Sequence, residues 1–246
     1  APGLETDGDA DHRVATVGGV PRAAFKDICI DVTDAAGVAT FWAKVLGQQI
    51  ELQEDGDATS FGPGSIRIWF NQVPEPKSVK NRVHLDLEVT DVSMLVALGA
   101  TVAAPADDWA DDWYVLADPE GNEFCASPGD PSPAIAEAFA LCVDCEEPEA
   151  LAAWWQRMVG GQIVPAPDGT PRWLMGASGL GPVTWKFIPV PEPRSVKNRV
   201  HWDVIAPDVE ALVAAGATVV RREDDEISWT VLADPEGNEF CVFPPA

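Results

Sequence analysis

The alternation of hydrophobic and polar positions predicts a fixed order of short elements. Ala24–Val32 alternates, and its β-branched content predicts a strand. Asp34 is placed to cap a helix over residues 35–46, and Gly47 is placed to end it. Strands are then predicted over 49–54, 58–61 and 65–73, which are separated by turn residues; the helix carries apolar residues at helical spacing (Val38, Phe41, Trp42, Val45).

A shorter version of the same order follows. The pattern predicts a strand over 82–89, a helix over 92–98, a strand over 101–104, and a hairpin of residues 113–117 with 123–127. Asp118, Pro119 and Gly121 suit the first, second and fourth positions of a type I turn. This half of the chain therefore consists of two βαβββ units.

Two segments of the chain occur twice. VPEPKSVKNRVHLD at Val73 returns at Val190 with twelve of fourteen positions identical, and VLADPEGNEFC at Val115 returns unchanged at Val231. A period of about 117 residues is the length of a small domain. We expect a disordered acidic arm over 1–22, one domain over 23–128, a linker over 129–133 and a second domain over 134–246.

Composition argues against several classes of protein. The net charge of −24 argues against nucleic-acid binding, and no apolar run is long enough to span a membrane. The five cysteines are an odd number, which argues against a disulfide framework, and four of them fall within strand-like runs. This usage favours a reducing cytoplasm.

The helix ATFWAKVLG, the strand NRVHLDLEV and the hairpin DPEGNEFC together resemble the vicinal oxygen chelate superfamily (glyoxalases, bleomycin-resistance proteins, extradiol dioxygenases), and most closely its glyoxalase-like branch. The resemblance implies an α+β fold of two tandem domains, each a pair of βαβββ units that form a curved mixed sheet with a concave ligand cup. It does not identify the function, because one fold hosts many chemistries.

Strand alternation directs one set of side chains into the cup: Asp27, Cys29, His84, Asp86, Glu123 and Cys125. The resemblance aligns His84 and Asp27 with metal-ligand positions, and it puts Cys125 where relatives carry a glutamate. The strand over 65–73 adds no acid and offers Asn71 as a polar candidate. Because Asp27, His84 and Cys125 make a poor set of metal ligands, no metal or other cofactor is expected. If a divalent metal binds, its ligands are Asp27, His84 and Cys125.

Two repeated features leave alternatives open. His84 and His201 are each followed by an acid, which suits either a buried His–Asp–Arg network or acid–base chemistry. The KSVKNR and RSVKNR segments suit either connecting loops, with Arg82 and Arg199 paired to Glu123 and Glu239, or an anion-binding rim.

Trp69, Trp109 and Trp173 are candidate ligand-stacking walls, whereas Trp113 and Trp229 match between the copies and are expected in the core. We expect a small organic molecule to bind in the cup of the first domain. The function would be sequestration, or acid–base chemistry by His84 with Asp27 or Asp86. The alternatives are a metal-dependent lyase, isomerase or dioxygenase, and a purely structural or partner-binding protein. The second domain, with Ala140 in place of Asp27, is expected to be structural, and the chain to be a monomer or homodimer.

Overall fold

The computed structural model describes residues 20–63, 65–104, 113–131 and 134–245. The first repeat contains β1 (Ala24–Val32), α1 (Ala35–Leu46), β2 (Gln49–Leu52), β3 (Ala58–Phe61), β4 (Ile68–Gln72), β5 (Val83–Val89), α2 (Val92–Leu98), β6 (Thr101–Ala104), β7 (Tyr114–Ala117) and β8 (Glu123–Pro128). These bounds lie within a few residues of the predicted ones. The predicted arm lies, apart from its last three residues, outside the described residues.

The second repeat has the same order of elements. It contains β9 (Ala136–Cys145), α3 (Pro148–Val159), β10 (Gln162–Pro165), β11 (Pro171–Met175), β12 (Thr184–Pro189), β13 (Val200–Ile205), α4 (Val209–Ala214), β14 (Thr218–Arg221), β15 (Thr230–Ala233) and β16 (Glu239–Phe243). The mixed α+β class and the two tandem copies are therefore confirmed.

Local chemistry explains where α1 begins and ends. The Asp34 carboxylate accepts a hydrogen bond from the Gly37 backbone N–H, which satisfies one of the free donors of the first turn. Gly47 ends the helix at φ 64°, a left-handed conformation that glycine adopts without steric cost. The apolar side of α1, which includes Phe41 and Trp42, is buried in the core.

The strands form two eight-stranded sheets, and each sheet takes one βαβββ unit from each repeat. The first sheet has the order β14-β15-β16-β13-β1-β4-β3-β2, and the second has the order β10-β11-β12-β9-β5-β8-β7-β6. Antiparallel pairs join the units at the centre, β1 with β13 and β5 with β9. We had expected the two units of one repeat to share a sheet. Instead, the segment after β4 leaves the first sheet and enters the second, and the segment after β12 runs the opposite way.

Tryptophan side chains pack the two sheets into one core. Trp185 of β12 lies in the second sheet and Trp202 of β13 in the first, and their ring centroids are 5.1 Å apart. Trp155 of α3 packs on both rings, at 4.6 and 5.4 Å. All three are fully buried, so the two sheets cannot separate without exposing a large apolar area.

The repeated DPEGNEFC hairpin has a structural explanation. Asp118 is buried, and its Oδ1 accepts from the backbone N–H groups of Glu120 and Asn122, each at 2.9 Å. Trp42 of α1 donates its ring N–H to the other oxygen of Asp118 at 3.2 Å. Trp155 and Asp234 repeat this contact in the second copy, also at 3.2 Å. The motif therefore fastens each hairpin to a helix. Among the described helices, none is both long and apolar enough to cross a membrane.

Candidate functional site

The face of each sheet opposite its core side carries a cluster of polar side chains. In β1, Ile28 and Ile30 are part of the hydrophobic core, and alternation directs Asp27 and Cys29 to the other face. We call the cluster on the first sheet the first cup (Lys26, Asp27, Cys29, Trp69, His201, Asp203). The cluster on the second sheet is the second cup (His84, Asp86, Cys125, Cys142, Lys186).

Asp86 is the centre of the second cup. Its carboxylate is buried, and Oδ2 accepts from the Lys186 ammonium at 2.8 Å and from the Cys142 thiol at 3.1 Å. The His84 Nε2 atom lies 3.4 Å from Oδ1. Strand register explains the assembly, because Cys142 lies opposite His84, and Cys125 lies beside Asp86.

Aromatic rings surround the Lys186 ammonium. Its Nζ atom lies 4.6 Å from the ring centre of Phe139, 4.9 Å from that of Trp173 and 5.7 Å from that of Trp113. All three aromatic residues are half-buried, so parts of their rings remain accessible. The cluster therefore combines a desolvated cation with flat apolar walls.

The groups of the second cup hold each other in charged form. Burial disfavours a charged imidazole, but the neighbouring Asp86 carboxylate favours it, and the pKa of His84 is raised well above its usual value. Burial opposes ionisation of Asp86 as well, yet His84 and Lys186 lower its pKa. At neutral pH two cations therefore flank one carboxylate.

The thiol of Cys142 stays protonated. Its burial, together with the charge of Asp86, raises its pKa to about 12. The thiol thus acts in the second cup as a hydrogen-bond donor and not as a nucleophile.

The first cup differs in charge. Lys26 pairs with Asp27, and its ammonium also lies 3.5 Å from Asp203 Oδ2. Trp69 donates its ring N–H to Asp27 at 3.0 Å. Burial raises the pKa of Asp203 to about 6, against the opposing charge of Lys26, and burial lowers the pKa of His201. This cup therefore holds a neutral histidine near the Asp203 carboxyl group.

The structure divides the predicted site residues between the cups. Asp27, Cys29, Trp69 and Asn71 belong to the first sheet, whereas His84, Asp86, Glu123 and Cys125 belong to the second. The predicted pairing of His84 with Asp27, and the metal set built on both, are therefore wrong. Trp109 lies outside the described residues.

Two residues that were predicted to bind a ligand form hydrogen bonds with other protein groups. Asn71 donates to Asp31 at 3.1 Å, so its amide is engaged with a neighbouring strand. Glu123 accepts from Lys77 at 2.8 Å and from the Asn81 backbone at 3.0 Å, which anchors the segment between β4 and β5.

Sequence reasoning missed Lys186, Cys142 and Phe139, because these residues belong to the other repeat and reach His84 only through the β5–β9 pairing. Trp113 was expected in the core but is half-buried beside Lys186, and Trp229 is half-buried too. The sequence does contain one signal that could have identified Lys186, namely its position in the repeat. It is the second repeat's counterpart of Trp69, since each faces the equivalent cysteine of its sheet.

The symmetric His–Asp–Arg network is not formed. His84 contacts Asp86, but the Arg82 guanidinium donates to backbone oxygens of Glu192 and Asp144 instead. The expected ion pairs of Arg82 and Arg199 with Glu123 and Glu239 are also wrong. Lys77 and Arg194 occupy those two carboxylates.

Each cup offers three potential metal-ligand atoms within 4.8 Å of one another. They belong to Cys29, His201 and Asp203 in the first cup, and to His84, Asp86 and Cys125 in the second. Three ligands are the usual count for catalytic zinc. In the second cup, however, the Lys186 ammonium lies 2.8 Å from Asp86. It would repel a divalent ion 4 Å away by on the order of 8 kcal/mol at an effective dielectric constant near 20. The donor set therefore fits a metal poorly beside the Lys186 ammonium.

A cleft of about 840 Å³ lies beside the first cup and includes two of its residues, Lys26 and Asp27. Lys26, Asp27, Arg67, Leu85 and Glu137 are among the residues that line it, and His84 is not. We place the candidate site at the second cup because the convergent charged groups, and not the size of the space, determine what chemistry is available.

Comparison with known proteins supports the fold assignment. A family profile described as glyoxalase-like domain matches residues 27–127 and 140–243. No curated protein matches the chain in sequence.

Among solved structures, glyoxalase I from Zea mays is 12% identical with a TM-score of 0.64, over 89% of this chain and 92% of that one. A putative dioxygenase from Bacillus subtilis subsp. subtilis str. 168 is 12% identical with a TM-score of 0.59, over 92% of this chain and 86% of that one. These likenesses show the fold alone. The two family matches cover most of the sequence, and the chain therefore belongs to the glyoxalase-like domain family of the vicinal oxygen chelate superfamily, with two copies of the domain.

Proposed function

We propose that the second cup binds a small organic molecule that carries a carboxylate or an enolisable carbonyl, and that it does so without an essential metal. The observation that carries the proposal is the buried contact of Lys186 with Asp86, next to His84. Two cations around one carboxylate leave an excess positive charge, which favours an anionic ligand group. The Lys186 ammonium also stands where a metal would otherwise concentrate positive charge.

The residues of the cup suggest separate roles. An ammonium has three N–H donors, and Asp86 accepts from Lys186 through one oxygen only, so the remaining donors suit a ligand oxygen. The half-buried rings of Trp113, Phe139 and Trp173 suit the apolar part of a small ligand.

His84 suits proton transfer. Its side chain is 15% exposed, which leaves it accessible to a ligand, and its raised pKa keeps a proton available at neutral pH. Asp86 orients the imidazole and stabilises its charged form. A ligand that develops negative charge on oxygen would gain from both cations at that moment.

Binding can be tested by thermal shift and calorimetry against a panel of small carboxylic acids and 2-oxo acids, with amines of matched size as the opposite-charge panel. We expect acids to bind and amines not to bind. His84→Gln and Lys186→Met should each weaken acid binding at least tenfold. His201→Gln, the equivalent substitution in the other repeat, should leave it unchanged. Preference for amines, or equal losses in His84→Gln and His201→Gln, would refute the proposal.

A metal-dependent lyase, isomerase or dioxygenase is the second candidate. It is favoured by the three donor atoms of His84, Asp86 and Cys125. The solved structures similar in fold also include a glyoxalase I and a putative dioxygenase. Metal analysis of untagged protein separates the two candidates. One equivalent of zinc, nickel, manganese or iron, lost in Cys125→Ser and retained in Cys241→Ser, would establish this alternative in place of the first.

A further inference from the structure

The two copies of the repeated VPEPxSVKNR segment meet each other in space. These crossover loops (residues 73–82 and 190–199) carry the chain from one sheet to the other. Arg82 donates to the backbone oxygen of Glu192 at 2.6 Å, and Arg199 donates to that of Glu75 at 2.8 Å. Because Glu75 and Glu192 are equivalent, as are Arg82 and Arg199, the contact is reciprocal, like that across a two-fold interface.

A cavity of about 320 Å³ lies between the crossover loops. Four basic residues line it, Lys80 and Arg82 from one loop and Lys197 and Arg199 from the other, against two acidic residues, Asp144 and Glu192. Asp31 and Glu120 pair with Lys197 and Arg199, so the four basic residues are balanced by four carboxylates, and the cavity is close to neutral in a chain whose net charge is −24. An anion would therefore meet less repulsion here than on the surrounding acidic surface.

The arginines retain unused donors. Arg82 Nε, Arg199 Nε and Arg199 Nη2 are buried without a hydrogen-bond acceptor among the described residues. The Arg199 side chain is 12% exposed, and its ion-pair partner Glu120 lies 4.0 Å away, beyond hydrogen-bond range. The three atoms have almost no exposed surface, so an acceptor from outside the chain reaches them only when the guanidinium groups shift. Buried charged donors are expensive to leave unpaired, which favours such a shift.

The two lysines that line the cavity are exposed. Lys80 pairs with Asp144 and Lys197 pairs with Asp31, each at 2.6 Å, and their side chains are 66% and 58% exposed. They can therefore contribute charge to an incoming anion without leaving the loops.

We infer that the cavity between the crossover loops binds a phosphate group, either as the free ion or as part of a small phosphorylated molecule. Two guanidinium groups and two ammonium groups provide the planar forks and point charges that phosphate oxygens accept. The volume exceeds that of a phosphate ion alone, which leaves room for a small organic substituent. This site is formed by the loops and is separate from both cups.

Calorimetry and thermal shift with inorganic phosphate test the inference, in buffers whose ionic strength is held constant with chloride. We expect phosphate to bind and to raise the melting temperature. Arg199→Gln and Arg82→Gln should each weaken binding at least tenfold. Arg221→Gln, which removes an exposed arginine paired with Asp224, should bind as the unaltered protein does. A simple alkyl phosphate that binds more tightly than inorganic phosphate would identify a phosphorylated molecule as the ligand.

Lys80→Gln and Lys197→Gln keep the test decisive if the arginine variants fail to fold, because both lysines are exposed. We expect each of them to weaken phosphate binding two- to fivefold. No binding of either phosphate to the unaltered protein, or the same loss in Arg221→Gln as in the loop variants, would overturn the inference.

Discussion

Replacing Asp203 with asparagine is expected to stabilise the protein at neutral pH. Asp203 is buried on β13, and burial raises its pKa to about 6 from an ordinary value of 3.8. The difference of about 2 pH units corresponds to about 3 kcal/mol at 1.36 kcal/mol per unit. That is the free energy by which ionisation of this carboxyl destabilises the fold once the pH is well above 6. Asparagine has nearly the same shape and does not ionise, so it should recover most of this amount.

The sign follows from proton linkage. Between pH 4 and pH 6 the folded protein holds a proton on Asp203 that the unfolded chain has released, so this group's contribution to stability falls as the pH rises through that window. Well below the ordinary pKa of 3.8 both states are protonated, and the substitution should change little. The stabilisation should therefore be small at pH 4 and nearly complete at pH 7.5.

Urea unfolding followed by tryptophan fluorescence at pH 4 and pH 7.5 measures this difference, and Asp86→Asn is the matched control. Asp86 occupies the same position in the other repeat, but its pKa is lowered by His84 and Lys186. Asp86→Asn should lose about 3–5 kcal/mol at pH 7.5, because two buried cations lose their partner. A gain in Asp203→Asn that is equal at both pH values, or a loss at pH 7.5, would refute the electrostatic reasoning.

Three further predictions concern other contacts of the same structure. Lys186→Met should lower the free energy of unfolding in urea by about 3–5 kcal/mol, because it leaves the buried Asp86 carboxylate without this partner. Adding Asp86→Asn should restore part of that loss. As a control, Arg222→Gln removes an exposed ion pair and should cost about 1 kcal/mol or less. The stability difference between the unaltered protein and His84→Gln should be largest below pH 6.5 and shrink as the pH rises through the raised pKa of His84, and a constant difference would contradict that shift. Trp42→Phe should lose about 1–3 kcal/mol, because it removes one of the two hydrogen bonds to Oδ2 of buried Asp118 and leaves only the one from Asn122. Circular dichroism during thermal melting of the variant measures the loss.

The local elements were predictable from sequence because their signals are local. Asp34 and Gly47 bound α1 through contacts within a few residues, and Pro148 with Gly160 does the same for α3. Strand alternation likewise identified Asp27, Cys29, His84 and Asp86 as facing away from the core. The repeated motifs also identified the family, and the two family matches confirm it.

Which of those side chains meet was decided by tertiary structure alone. Alternation along a strand says which face a residue occupies, but not which strand is its neighbour, and both crossover loops exchange units between the sheets. Asp27 and His84 were therefore assigned to one site although they lie in different sheets. Lys186, one hundred residues from Asp86 along the chain, became its partner. The physical reason is that a buried charge is stabilised by the groups that the fold brings within a few ångströms of it. The distance between the charge and its partner depends on sheet topology and register, which no local pattern encodes.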